Sequence, residues 1–148
     1  MSKIVWFTGQ PGSGKTTLAN QLIKTINLPD QFIHIDGDDL RSLTDNKDYS
    51  EKGRRRNIRL AQQIAIFCSN KGFNVVVSLV APFKDMRDNF KNAHNVIEFY
   101  LFTSEKRGRE HFFSDDYKKP SENYIELDTG KYSIDECTEK IIMEFHKQ

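Results

Sequence analysis

An α/β fold, with a five-stranded parallel sheet and helices on both faces, is what this sequence predicts, and three observations carry it. Short apolar, β-branched runs alternate with amphipathic helical stretches from end to end. The run Asn74–Val80 is apolar on both faces, the mark of a central strand in a parallel sheet. The first strand leads into Gly9-Gln10-Pro11-Gly12-Ser13-Gly14-Lys15-Thr16, which fits G-x-x-x-x-G-K-[ST], the phosphate-binding loop or Walker A motif. The motif lies between a strand and a helix, the setting it needs to work.

The elements follow in order. Lys3–Thr8 is the first strand. The helix after the loop sets Leu18, Leu22, Ile23 and Ile26 on one face and stops near Asn27-Leu28-Pro29-Asp30, where Pro29 breaks it. Gln31–Ile35 is the second strand and ends in Asp36-Gly37-Asp38-Asp39, with Asp39 as the cap of a short helix over Leu40–Leu43. Asp45–Tyr49 reads as a polar loop. Ser50 caps a long helix whose stripe is Ile58, Ala61, Ile64, Ala65 and Cys68, closed by Lys71-Gly72. Asn74–Val80 is the third strand, ended by Ala81-Pro82, and Lys84–Asn92 is a short helix. Val96–Phe102 is the fourth strand, Thr103–Phe113 a polar helical stretch, Ser114–Asn123 a loop and Tyr124–Leu127 a fifth strand. Ser133 caps a last helix striped by Ile134, Cys137, Ile141 and Phe145. With no repeat, low-complexity tract or linker, residues 1–148 read as one domain.

Composition bounds the function. Among 148 residues, 22 Lys and Arg against 21 Asp and Glu leave a net charge of +1, so no global field draws the chain to nucleic acid or to a membrane. No apolar run approaches the ~20 residues of a membrane span. The first strand begins within a few residues of the N-terminus, which leaves no room for a signal peptide. Cys68 and Cys137 sit on apolar helix stripes and read as buried thiols, which suits a reduced, cytoplasmic protein.

The chemistry starts at the loop. Gly12 and Gly14 let successive N–H groups point inward as an anion nest at a helix N-terminus. Lys15 reaches the β- and γ-phosphates and the Thr16 hydroxyl ligates Mg²⁺. Transfer of a phosphoryl group also needs a carboxylate near the metal and one to orient or deprotonate the attacking hydroxyl. Asp36 and Asp38 are the only carboxylates at a strand end near the loop, since Val75–Val80 holds none. Arg41, Arg54, Asn57 and Arg59 are candidates for an anionic acceptor, because a guanidinium fork grips phosphate or sulfate oxygens in pairs. Lys52, Arg54, Arg55, Arg56 and Arg59 crowd a helix N-terminus, where cations oppose the macrodipole; Arg55 and Arg56 read as a solvated face. Arg107 and Arg109 follow the fourth strand, where a lid lays a cation on the transferring group. His34 reads as structural and Trp6 as core, while Phe83 reads equally as core or as a base-stacking ring.

Taken together, Gly9–Thr17, Asp36-Gly37-Asp38-Asp39-Leu40-Arg41, Tyr49-Ser50 with Arg54 and Asn57-Ile58-Arg59, and Val77–Phe83 resemble adenylylsulfate (APS) kinase, a P-loop kinase fold. Tyr117-Lys118-Lys119-Pro120 and Leu127-Asp128-Thr129 resemble the closing segment of that family. The resemblance implies transfer of the γ-phosphoryl of MgATP to the ribose 3′-hydroxyl of adenylylsulfate, giving 3′-phosphoadenylylsulfate in sulfate assimilation. It implies Asp38 as base, Asp36 near Mg²⁺ beside Thr16, and a nucleotide held by Gly9, Gly12, Ser13, Gly14, Lys15, Thr16, Thr17, Arg107 and Thr129. It places the acceptor against Asp38, Arg41, Tyr49, Arg54, Asn57, Val80, Ala81, Pro82 and Phe83, and it implies a homodimer.

Three features depart from the family pattern. Ala81 stands where the family has Ser, Tyr49 where it has Phe, and the segment between the fourth strand and Tyr117 is far shorter than the family's lid. The short lid keeps a second reading open, a P-loop kinase of another nucleotide-linked anion, a sugar or a modified nucleoside. A third is a nucleotide-binding switch or non-catalytic module. A guanine-reading switch needs Asn-Lys-x-Asp, and Asn46-Lys47-Asp48 lacks the spacing.

Overall fold

The computed structural model describes residues 2–147. Its sheet is built from β1 (Ile4–Thr8), β2 (Phe32–Asp36), β3 (Asn74–Ser78), β4 (Val96–Phe102) and β5 (Ile125–Asp128), in the order β2-β3-β1-β4-β5 with every pair parallel. The helices are α1 (Lys15–Thr25), α2 (Gly37–Thr44), α3 (Glu51–Asn70), α4 (Lys84–Ala93) and α5 (Ile134–Lys147).

The period of two along each strand sorts the core into two layers. Val5 and Phe7 of β1 point to one face, where Leu18, Leu22, Ile141 and Phe145 of α1 and α5 cover them together with Phe99 and Leu101. Ile4 and Trp6 point to the other, against Val75, Val77, Leu40, Ile58, Ala61, Ala65 and Phe90 from β3, α2, α3 and α4. Trp6 is 2% exposed, a core residue as expected. The chain first fills the β3–β2 side of β1 and then crosses to β4 and β5. The carboxyl ends of β1 and β3 therefore border the crevice where sheets of this class take ligands.

Four local expectations need correction. The second helix starts at Gly37, three residues before Leu40, and its cap is Asp36, whose side chain accepts the Asp38 N–H; Asp39 lies in the first turn. β3 stops at Ser78, because Ala81 turns at φ 45 and the chain leaves the sheet there. Thr103–Phe113 is no helix. It holds a single 3-10 turn at Glu110–Phe112, because the Glu110 carboxylate takes the N–H groups of Arg107 and Arg109 that a helix would use, and Gly108 adopts φ 81. Cys68 is only half-buried, while Cys137 is buried; both thiols are free.

Candidate active site

A cleft of about 1010 Å³ opens at the carboxyl edge of the sheet. It is lined by Pro11, Gly12 and Gly14 of the loop Gly9–Gly14. Gly12 at φ 84 and Gly14 at φ 103 adopt conformations that a side chain would strain, and Gly14 is the cap of α1. The loop amides thus run into a helix N-terminus, a ready anion seat. Lys15 folds over the loop and donates to the carbonyls of Gly9 and Gln10, both at 2.9 Å. Desolvation pulls its ammonium down to about 8, with nearby Asp36 opposing that shift.

Beside the loop stands a polar chain across β2 and β3. His34 and Asp36 are two apart on β2 and share a face, and Ser78 is the direct partner of Asp36 in the parallel register. Ser78 Oγ donates to Asp36 Oδ1 at 2.9 Å, so its oxygen accepts from His34 Nε2 at 2.6 Å. Thr16 Oγ1 also donates to Asp36 Oδ1 at 2.9 Å. Asp36 is thereby held by Thr16, Ser78 and its own helix N-terminus. Asp38, two residues on in the first turn of α2, lies exposed on the cleft wall.

The opposite wall is cationic. Arg41 donates to the carbonyls of Asn46 and Asp48 and lies 4.0 Å over the Tyr49 ring. Arg54 donates to Asp116 through both terminal nitrogens at 2.9 Å and to Ser114 Oγ at 2.9 Å. Its Nε and Asn57 Oδ1 are buried without partners among the described residues. The segment after β4 closes the top. Arg107 donates to Gly12 O and to both oxygens of Thr129, whose hydroxyl in turn donates to Ser13 O at 2.7 Å. Arg109 lies over the Phe112 ring at 5.2 Å, and Phe112 and Phe113 are 59% and 42% exposed at the rim.

The cleft lining brings together most of the residues singled out from the sequence: Gly12, Gly14, Lys15, Thr16, Thr17, Asp36, Asp38, Arg41, Tyr49, Arg54, Asn57, Val80, Ala81, Pro82 and Arg107. Gly9, Ser13 and Thr129 lie behind it, and Ser13 is buried. Phe83 is a correction: it is 7% exposed in the core, capped by the guanidinium groups of Arg54 and Arg55 at 5.0 and 4.2 Å, and does not line the cleft. Arg59 is exposed and outside the lining as well. Arg55 pairs with Glu51 and Asp85, as a solvated face should.

Sequence reasoning missed Ser78, Gln10 and the Ser114–Asp116 stretch. Ser78 is legible only once the β2–β3 register is known. Gln10 and Ser114 exchange two hydrogen bonds, side-chain amide to backbone, at 3.0 and 2.9 Å; no spacing rule announces such a pair.

A family model described as Adenylylsulphate kinase matches residues 1–140. A probable adenylyl-sulfate kinase of Halalkalibacterium halodurans is 32% identical, the alignment covering 99% of this chain and 84% of that protein. The adenylyl-sulfate kinase of Prochlorococcus marinus is 29% identical over 95% of this chain and 82% of its own. Among solved structures, the Mycobacterium tuberculosis APS kinase CysC in complex with AMPPNP and APS superposes with a TM-score of 0.85 at 22% identity, covering 98% of each chain, a likeness of fold.

Proposed function

Because the chain belongs to the adenylylsulphate kinase family, we propose that the cleft phosphorylates adenylylsulfate, with the 1–148 chain acting as one kinase domain. The reaction is ATP-dependent transfer of the γ-phosphoryl group to the ribose 3′-hydroxyl, giving ADP and 3′-phosphoadenylylsulfate. The observation that carries the assignment of roles is the division of labour between two carboxylates. Asp36 is occupied by Thr16, Ser78 and a backbone N–H, so both its oxygens are already engaged and its orientation is fixed. Asp38, exposed on the same wall, is the group left to take a proton.

In this reading Asp38 accepts the proton of the 3′-hydroxyl as that oxygen bonds to the γ-phosphorus, and the bond to the bridging oxygen breaks as ADP leaves. Lys15 swings from the loop carbonyls to the phosphates, and the Gly12–Gly14 amides hold them. Arg41, Arg54 and Asn57 hold the phosphosulfate; Arg54 Nε and Asn57 Oδ1, without partners among the described residues, support this reading of the wall. Ala81 contributes backbone: it is buried, and its carbonyl is taken by Arg87, so the hydroxyl of the family's Ser is not needed to shape the turn. The exposed faces of Phe112 and Phe113 suit stacking on a base.

Thr16 and Asp36 fit Mg²⁺. Both offer hard oxygens, and among the described residues no cluster of three or more His, Cys, Asp or Glu exists to hold a tighter metal. Mg²⁺ is ordinarily bound by one or two protein oxygens with phosphates and waters completing its shell. When bound it neutralises charge on the phosphate oxygens. Among the described residues no helix is long and apolar enough to cross a membrane; we place the enzyme in cytoplasmic sulfate assimilation on the strength of its family and its two free thiols.

A P-loop kinase of another nucleotide-linked anion, a sugar or a modified nucleoside is the competing reading, favoured by a lid that holds one 3-10 turn. The test is a screen with MgATP in which adenylylsulfate competes with AMP, sugars and nucleosides, read as 3′-phosphoadenylylsulfate by chromatography. Its formation at the highest kcat/KM of the set supports the proposal. Its absence, with turnover of another acceptor, transfers the assignment.

A further inference from the structure

We propose that Asp116 is a built-in competitor for the acceptor's anion at Arg54, and that it makes the site selective for acceptors carrying negative charge. The inference rests on the acceptor wall proposed above and adds a residue to it. Arg54 lines the cleft, yet both terminal nitrogens are taken by the two oxygens of Asp116 in the fork-to-fork geometry that a bound phosphate or sulfate would use. Ser114 completes the arrangement: Arg54 donates to its hydroxyl, and that hydroxyl donates to Asp116 Oδ1 at 2.5 Å. Ser114 is itself fixed by its two backbone bonds to Gln10 of the phosphate loop.

The carboxylate is therefore presented to Arg54 by a segment anchored on the nucleotide side. Arg54 and Ser114 hold the Asp116 carboxyl well below the ordinary carboxylate range, so the pair persists across neutral pH. An anionic acceptor exchanges one carboxylate for another anion at Arg54 and gives up little. A neutral hydroxyl compound has nothing to exchange, and displacing Asp116 would leave a guanidinium without a counter-charge.

The alternative role is that Asp116 orients Arg54 for the acceptor, and the two roles predict opposite signs. An exposed bidentate pair corresponds to a few-fold in a binding constant. Competition predicts that Asp116→Asn lowers the acceptor KM by about two- to fivefold and that Asp116→Ala lowers it at least as much. The KM for ATP should stay unchanged in both, and the preference for adenylylsulfate over neutral adenosine should narrow. A rise in acceptor KM, or no change, overturns the proposal.

A second arm needs no turnover. AMP is titrated into the ADP-loaded protein, as wild type, Asp116→Asn, Arg54→Ala and the double variant. Tighter AMP binding in Asp116→Asn that disappears in the Arg54→Ala background supports competition. Weaker binding in Asp116→Asn, or none in any of the four proteins, overturns it. If wild type makes no 3′-phosphoadenylylsulfate while the AMP pattern holds, the acceptor assignment fails and the competition stands.

Discussion

Lys15 is subject to opposed pulls. Desolvation lowers its ammonium to about 8, and Asp36 works against that. Above pH 8 the free enzyme loses the positive charge it offers to phosphate, so kcat/KM for ATP should fall with a limb near pH 8. Bound phosphate raises the lysine again, so kcat should stay flat through the same range. A pH profile of both parameters checks this, and a limb shared by both would point to a group other than Lys15. Lys15→Ala should abolish transfer; turnover within about tenfold of wild type would show that the loop works without its lysine. Asp38→Asn should lower kcat by ~10²–10⁴-fold, the usual worth of a general base, and leave ATP affinity nearly unchanged. An equal loss in both quantities would move Asp38 from the proton to the nucleotide.

At the scale of the element, β2 delivers His34 and Asp36 on one face and β3 delivers Ser78 opposite. Burial lowers the His34 pKa below the usual ~6.5, so the ring is held neutral. A neutral buried histidine contributes stability that is fully present above its unfolded pKa and is lost as pH falls through the lowered folded value. Urea unfolding of wild type should therefore weaken below about pH 6.5, and His34→Gln should flatten that slope; an unchanged slope would assign it to the carboxylates. α3 makes its own case. Ser50 caps it as the sequence announces, and Arg54 and Asn57 reach the cleft from its first two turns. Arg54→Ala should raise the acceptor KM on the order of ten- to a hundredfold, since charge-assisted hydrogen bonds are worth ~1.5–3 kcal/mol, with ATP affinity unchanged. Helices and strands with an apolar period were legible, as was the phosphate loop, whose motif is contiguous. Thr103–Phe113 was not, because it has no stripe and its fold is decided by Glu110 turning back on its own backbone. Phe83 was undecidable in sequence because core and cleft are separated there by one guanidinium layer.

Across the whole molecule, the two halves of the cleft are tied by one buried ion network that no local pattern reveals. Glu98 lies in an apolar strand at 2% exposure, paired with Arg87 at 3.0 Å and with Lys91 at 2.5 Å from α4. Arg87 then donates to the carbonyl of Ala81, in the turn after β3, and to that of Lys118, in the segment between β4 and β5. It also lies over the ring of Tyr117, whose hydroxyl bonds Thr8 at the end of β1. One guanidinium thus registers the turn after β3, the lid's return and the helix between them. Removing one partner of such a network strands the others in low dielectric, at a cost of about 3–5 kcal/mol, a large share of the ~5–15 kcal/mol that stabilises a typical domain. Glu98→Gln should lower the urea midpoint accordingly. Replacing Arg87, Lys91 and Glu98 together by Leu should restore part of the stability, because an apolar cluster often matches a buried ion network, less the cost of the backbone carbonyls left without a donor. It should not restore transfer, since the carbonyls of Ala81 and Lys118 lose their shared donor. A triple variant with wild-type kcat/KM for the acceptor would show that the network serves stability alone.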